Sequence, residues 1–230
     1  MKTLLILGSN SDVAIACETK FSKEGFNVIL ASRTNEKHLS NWIYFDALDT
    51  ENHYEFYKKI NPKPDLVLST FGYLGSQNLA FDNFNESSLI LQTNLIGNIS
   101  ILNVVAKEMA KQKQGSIICI SSVAGERGRK SNYIYGAAKA GLTAYLSGLR
   151  AKMLESNVFV STIVPGFIKT KMLGNLKTPN ILTASPEQVA ESIWSAYKNK
   201  KNKVYVLPIW RLIMFIIKLI PEGVFKKMNL

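Results

Sequence analysis

Ser122, Tyr135 and Lys139 bring a hydroxyl, a phenol and an ammonium together at a spacing suited to proton transfer. The bare pattern Tyr-x-x-x-Lys is weak evidence, because it occurs three times, at Tyr54/Lys58, Tyr135/Lys139 and Tyr197/Lys201. Only the middle copy has a serine thirteen residues upstream; the other two have Asn41 and Ala184 there. Only that copy also follows a buried-strand pattern, Ser116–Ser121. Residues i and i+4 share a helix face, so Tyr135 and Lys139 can act together while Ser122, at a strand end, meets them across a cleft. The chemistry this allows is reduction of a carbonyl. Ser122 would orient the carbonyl oxygen, Tyr135 would protonate the developing alkoxide, and Lys139 would supply positive charge. A phenol titrates at about 10, so it holds its proton at neutral pH, and a nearby ammonium is expected to lower that value.

The rest of the chain must position these groups. Short apolar runs alternate with longer amphipathic ones, the pattern of βαβ units in an α/β fold with a parallel sheet. The predicted strands are Thr3–Leu7, Asn27–Ala31, Trp42–Phe45, Leu66–Ser69, Ser116–Ser121, Phe159–Val164 and Val204–Val206. The predicted helices are Asp12–Lys23, Glu51–Ile60, Glu86–Lys111, Asn132–Glu155 and Pro186–Asn199. The last opens with a capping-box pattern, Ser185-Pro186-Glu187-Gln188. Residues 165–185 lack periodicity, as a functional lid would. At 230 residues, 47% hydrophobic and 20% charged, the chain reads as one folded domain.

The first strand runs into Gly8-Ser9-Asn10-Ser11-Asp12-Val13-Ala14 and then a helix, a turn that could seat a pyrophosphate at a helix N-terminus. From this turn onward the chain resembles the short-chain dehydrogenase/reductase family over roughly residues 2–206. The resemblance implies a single Rossmann-like, doubly wound parallel sheet of about seven strands with helices on both faces. Gly8 matches the first glycine of the family's Thr-Gly-x-x-x-Gly-x-Gly turn, whereas Asp12 and Ala14 stand at the second and third. A carboxylate at Asp12 must point away from a pyrophosphate or cap the helix. The resemblance also assigns Asp46 to an adenine contact and places Asn94 at a helix kink that hydrates Lys139. It puts the nicotinamide on Pro165-Gly166-Phe167-Ile168-Lys169-Thr170, and Ser69-Thr70-Phe71-Gly72 replaces the family's Asn-Asn-Ala-Gly. Strand two ends in Ser32 and Arg33 rather than in an acid, which favours NADP(H) over NAD(H), the guanidinium reading a 2′-phosphate.

Residues 208–230 form a hydrophobic and basic tail after a domain of residues 1–207. Pro208–Ile220 is almost wholly apolar with Arg211 and Lys218 on one helical face, too short to span a bilayer but able to lie on one. Packing on the core or on a sister subunit is the alternative, since members of the family commonly form homo-oligomers. The Asp12 turn, Phe71–Gly75 and the ending Phe225-Lys226-Lys227-Met228-Asn229 resemble one subgroup, the decaprenylphosphoryl-2-keto-ribose reductases. That likeness implies a lipid-linked sugar substrate of cell-envelope polysaccharide synthesis. A soluble reductase of a small ketone, nucleotide-sugar or acyl compound, or a non-catalytic dinucleotide-binding protein, stays open beside it. The net charge of +11 asks for a phosphorylated ligand or an anionic surface. The chain has no zinc-finger spacing or helix-turn-helix signal, which sets nucleic acid aside. The apolar start is too short for a signal peptide, Cys17 and Cys119 read as core thiols, and a cytoplasmic protein, peripheral at the inner membrane face, is expected. His38 and His53 are isolated, so surface roles and no metal are expected.

Overall fold

The computed structural model describes residues 1–35, 40–174, 176 and 178–228; His38 and Asn229 lie outside them. Seven strands form one sheet: β1 (Thr3–Leu7), β2 (Asn27–Ser32), β3 (Trp42–Tyr44), β4 (Leu66–Ser69), β5 (Ser116–Ile120), β6 (Phe159–Val164) and β9 (Lys203–Tyr205). Their order is β3-β2-β1-β4-β5-β6-β9, with every pairing parallel. Helices cover both faces, so β1 and β4 are buried at every position, which explains their continuous apolar runs. The chain reverses its winding between β1 and β4. In a doubly wound sheet that reversal opens a ligand crevice at the carboxyl ends of the strands.

The helices that matter for the site are α1 (Asp12–Lys23), α4 (Phe84–Leu91), α5 (Gly97–Gln112) and α6 (Tyr133–Met153). Two shorter ones, α2 (His53–Lys59) and α3 (Gln77–Asp82), precede α4. Helix α7 (Pro186–Lys198) starts with the expected capping box, Ser185 and Gln188 satisfying each other's backbone. The predicted strands agree with the observed ones to within a residue at each end. The predicted helix Glu86–Lys111 is continuous from Phe84 to Gln112 but carries a π-helical turn at Gln92–Ile96. This helix is long and apolar enough to cross a membrane, yet it packs here as a core helix and buries Ile101, Leu102, Val105 and Met109.

Several elements depart from the sequence expectations. Helix α3, which begins at the Ser76 cap, was not predicted. Residues 165–185 are not structureless: β7 (Phe167–Ile168) pairs with β8 (Thr183–Ala184) in a small parallel ladder. Two-residue strands are too short to show periodicity. His53 is buried rather than superficial, stacked on Phe45 and hydrogen-bonded to Ser100 Oγ and the Asp46 carbonyl. Cys17 and Cys119 are buried thiols, and burial pushes them up to about 12 and about 11. The chain ends in α8 (Ile209–Leu219) and α9 (Glu222–Phe225), whose Trp210, Met214, Ile217 and Phe225 form a third core cluster with Val123 and Val164.

Candidate active site

Two cavities open along the carboxyl ends of the strands. One, of about 520 Å³, is lined by Gly8, Ser32, Arg33 and Asp46. The other, of about 380 Å³, is lined by Asp12, Val13, Ser122, Tyr135, Lys139, Pro165, Gly166, Ile168 and Thr170. Asn10, Ser11, Thr70, Phe71 and Gly72 line both, so the two form a continuous groove over the β1–β4 switch. Such a groove has the position of a dinucleotide site in a doubly wound sheet.

The catalytic candidates come from three elements. Ser122 follows β5, and its Oγ accepts from Ala124 N at 3.1 Å. Tyr135 and Lys139 lie one turn apart on α6, with Lys139 Nζ 5.7 Å from the Tyr135 ring centre. Lys139 is buried, at 3% exposure, and donates to the Ile120 carbonyl at 3.1 Å. Burial pulls its pKa down to about 8. Burial pushes the Tyr135 phenol up to about 12, against the opposing pull of its hydrogen bond with Ser122. The phenol therefore lies above its ordinary value rather than below it as expected, because desolvation outweighs the Ser122 hydrogen bond. Tyr135 consequently holds its proton throughout the neutral range, as an acid must.

Asn94 sits in the π-helical turn, fully buried, and lines neither cavity. Its amide pairs with a loop backbone: Nδ2 donates to the Tyr73 and Ile90 carbonyls, and Oδ1 accepts from Tyr73 N at 3.2 Å. A side chain at Gly72 would stand 2.8 Å from Asn94 Oδ1 and 3.5 Å from Lys139 Nζ. Glycine there keeps open the space between the amide and the ammonium. A π-helical turn stands where the kink is expected, and its Asn94 amide holds the Tyr73 backbone.

On the cofactor side, Gly8 has φ +85°, and an added Cβ would lie 2.7 Å from Phe71 Cβ. Only glycine permits this turn. Ser11 caps α1 through Ala14 N at 3.1 Å, which leaves other first-turn amides at the cavity wall where an anion could bind. Asp12 does point away: its Oδ2 accepts from Lys171 N at 2.8 Å and straps the 171–173 turn to the glycine loop. The replaced glycine thus has a structural use. Two of the predicted cofactor contacts are engaged with the protein itself, although Ser32 lines the first cavity. Ser9 is buried and lines neither cavity, its N–H committed to the Ala31 carbonyl. Ser32 is also buried, its hydroxyl donating to the Thr34 carbonyl at 2.8 Å and accepting from the Trp42 indole at 2.8 Å. It holds the strand end together, while Arg33 stays exposed on the cavity rim.

The substrate side was largely missed. Trp210 on α8 lines the cavity, its indole donating to the Leu182 carbonyl at 3.1 Å. A Cβ on Gly166 would fall 1.9 Å from that ring, so the Pro165-Gly166 turn and the tail are fitted to each other. The segment after Ser122 is stitched to the same helix. Arg127 donates to the Ile217 and Ile220 carbonyls and pairs with Glu222 at 3.0 Å. Burial would raise the Glu126 carboxyl, but its hydrogen bonds with Lys203, Lys218 and Tyr205 outweigh that and hold it below the usual range. Arg129 and Asn132 also line the cavity. In the sequence they look like ordinary loop residues, with no periodicity or motif to single them out.

Known proteins share this fold. A short-chain dehydrogenase from Burkholderia cenocepacia J2315, solved in complex with NADP, is 16% identical and superposes with a TM-score of 0.84 over 95% of both chains, which shows a common fold. An uncharacterised oxidoreductase of Streptomyces coelicolor is 28% identical, covering 99% of this chain and 96% of its own length. An uncharacterised oxidoreductase of Mycobacterium tuberculosis strain H37Rv is 34% identical over 69% of this chain, and the match spans 63% of that relative's length. The short chain dehydrogenase family model matches residues 2–180, which carry the glycine turn, Asn94, Ser122, Tyr135, Lys139 and the Pro165-Gly166 turn alike. The chain belongs to that family of oxidoreductases.

Proposed function

We propose that the protein is an NADP-dependent reductase of a sugar ketone, with a lipid-linked sugar of cell-envelope polysaccharide synthesis as the favoured substrate. The observation that carries the reading is the convergence of Ser122, Tyr135 and Lys139 on one cavity continuous with the groove over the β1–β4 switch. The glycine cradle at Gly8 and the capped N-terminus of α1 fit a pyrophosphate, and Gly72 and Lys139 line the cavity wall where a ribose would lie. Arg33 on the rim favours the 2′-phosphate of NADP, the cofactor of the Burkholderia fold neighbour. When bound, the nicotinamide supplies hydride to the substrate carbonyl.

The protein's own groups do the rest. Ser122 donates to the carbonyl oxygen and orients it. Tyr135 delivers the proton, and the ammonium of Lys139 stabilises the phenolate that remains. The lipid-linked part of the reading is supported by the tail. The inner face of α8 packs on the core, but Leu212, Phe215, Ile216 and Leu219 are exposed beside Arg211, with Lys226 and Lys227 following. Such a face suits peripheral contact with an anionic membrane on its cytoplasmic side, or a second subunit.

The experiment compares NADPH oxidation by the parent and Tyr135→Phe on a polyprenyl-phosphate keto-sugar and on a short soluble analogue. Turnover by the variant should fall by roughly 100-fold or more, with NADPH affinity kept, since general acids contribute on that scale. A variant within tenfold of the parent would remove Tyr135 from its role. Equal turnover of the two substrates by the parent would discard the lipid and leave only the reductase.

A further inference from the structure

Two arginines two residues apart have opposite surroundings. Arg127 is fully engaged, with two carbonyls, the Glu222 carboxylate and the Phe225 ring, 3.9 Å from its guanidinium. Arg129 is half-buried in the wall of the substrate cavity, and its recorded contact is with the Met214 sulfur at 3.4 Å, a weak acceptor. Its Nε is buried with no hydrogen-bond partner, and among the described residues no carboxylate pairs with it. Three residues on, Asn132 lines the same cavity with a buried Oδ1 that also lacks a partner. Orphaned buried polar atoms are costly, and a cation without a counter-charge more so. Two of them on one short loop, in the wall that also holds Ser122 and Tyr135, call for a ligand.

We infer that Arg129 and Asn132 form an oxyanion-reading subsite, so that the ketone this enzyme reduces carries a phosphate or carboxylate group. The inference rests on the reductase reading and sharpens its substrate class. A guanidinium offers paired donors matched to either oxyanion, and an unpaired amide oxygen accepts from a hydroxyl beside it. Burial pulls the Arg129 pKa below its usual value without discharging it, which makes an anionic partner more favourable still. The adjoining wall, with Leu74, Phe167 and Trp210, is apolar. An anionic group next to an apolar moiety is the composition this cavity accepts.

The test titrates methyl phosphate and, separately, acetate into protein saturated with NADP, so that the cofactor's own phosphate subsites are filled. Arg129→Gln should weaken whichever anion the parent prefers by roughly tenfold or more, the scale of a charge-assisted hydrogen bond, with Arg129→Lys intermediate. The parent's preference tells phosphate from carboxylate. Asn132→Asp adds a negative charge to the same wall and should weaken the anion too, which keeps the test decisive if Arg129→Gln does not fold. In kinetics, the ratio of kcat/KM for dihydroxyacetone phosphate to that for dihydroxyacetone should collapse in Arg129→Gln. Equal anion binding by parent and variants, or none by the parent, overturns the subsite. Failure of NADP to bind would instead strike the reductase reading, and the methyl phosphate titration without it still decides the subsite.

Discussion

The cofactor half and the substrate half of the groove lie at the same ends of neighbouring strands but are assembled on different scales. The glycine turn is closed within the N-terminal third of the chain: Ser11 Oγ caps Ala14, Gly8 N and Ser9 N donate to the Ala31 carbonyl, and Thr70 Oγ1 donates to the Gly8 carbonyl at 3.1 Å. The substrate wall is closed by contacts spanning most of the C-terminal half. Arg127 grips α8 across 90 to 95 residues, and Trp210 fills the place that only Gly166 leaves open. The Asp12 carboxylate, bonded to Lys171 N across 159 residues, joins the two. The shape of the substrate half therefore depends on the tail being docked.

The largest expected effect breaks the substrate half. Trp210 is 3% exposed, edge-on to Phe167 at 5.6 Å, and central to the third core cluster. Trp210→Ala removes a large buried ring and should cost about 3–5 kcal/mol, a fall in Tm of roughly 6–20 °C. Thermal unfolding measures it. A loss within about 1 kcal/mol would mean that α8 is not structurally coupled to the site.

The second prediction separates the two ionisable groups proposed for catalysis. Lys139 titrates at about 8 because burial lowers it, and Tyr135 at about 12 because burial raises it. The ammonium is present below pH 8 and is lost as pH rises through that value, while the phenol is still protonated. The alkaline limb of kcat/KM for NADPH, which reports the free enzyme, should therefore fall roughly tenfold per pH unit above about 8. In Lys139→Arg the charge persists, so the limb should move upward. A limb confined to the region of Tyr135 would show that the charge on Lys139 is dispensable.

The same contrast explains what could be read from the sequence. All seven strands of the main sheet and the pairing of Tyr135 with Lys139 were legible, because each depends on a run of apolar residues or a fixed helical spacing. Gly8 was legible because a turn between a strand and a helix is a local event. Trp210, Arg129 and Asn132 were not, since their place in the cavity follows from where α8 docks. What Ser32 binds within the protein was not legible either: it stands at the strand end where a cofactor contact is expected, and Trp42, ten residues on, donates to its hydroxyl. Sequence position placed the residue at the cavity and could not show its bonds to Trp42 and Thr34.

The smallest expected effect lies in the cofactor half and should leave the fold alone. Arg33 is exposed on the rim of the adenosine-side cavity, where its guanidinium is free to meet a phosphate without any change in packing. With Ser32 committed to Trp42 and Thr34, Arg33 is the residue at this strand end that can distinguish the two dinucleotides. Arg33→Ala should weaken NADPH by about 1.5–3 kcal/mol, the scale of hydrogen bonds to a charged group, and leave NADH nearly unchanged. Because the side chain is exposed, unfolding stability should shift by no more than about 0.5 kcal/mol. Titration of both cofactors against parent and variant, with the melting temperature recorded alongside, tests affinity and stability together. Equal losses for NADPH and NADH would remove Arg33 as the selectivity residue. A large drop in stability would erase the contrast between a cofactor half closed by the N-terminal strands and a substrate half held by the tail.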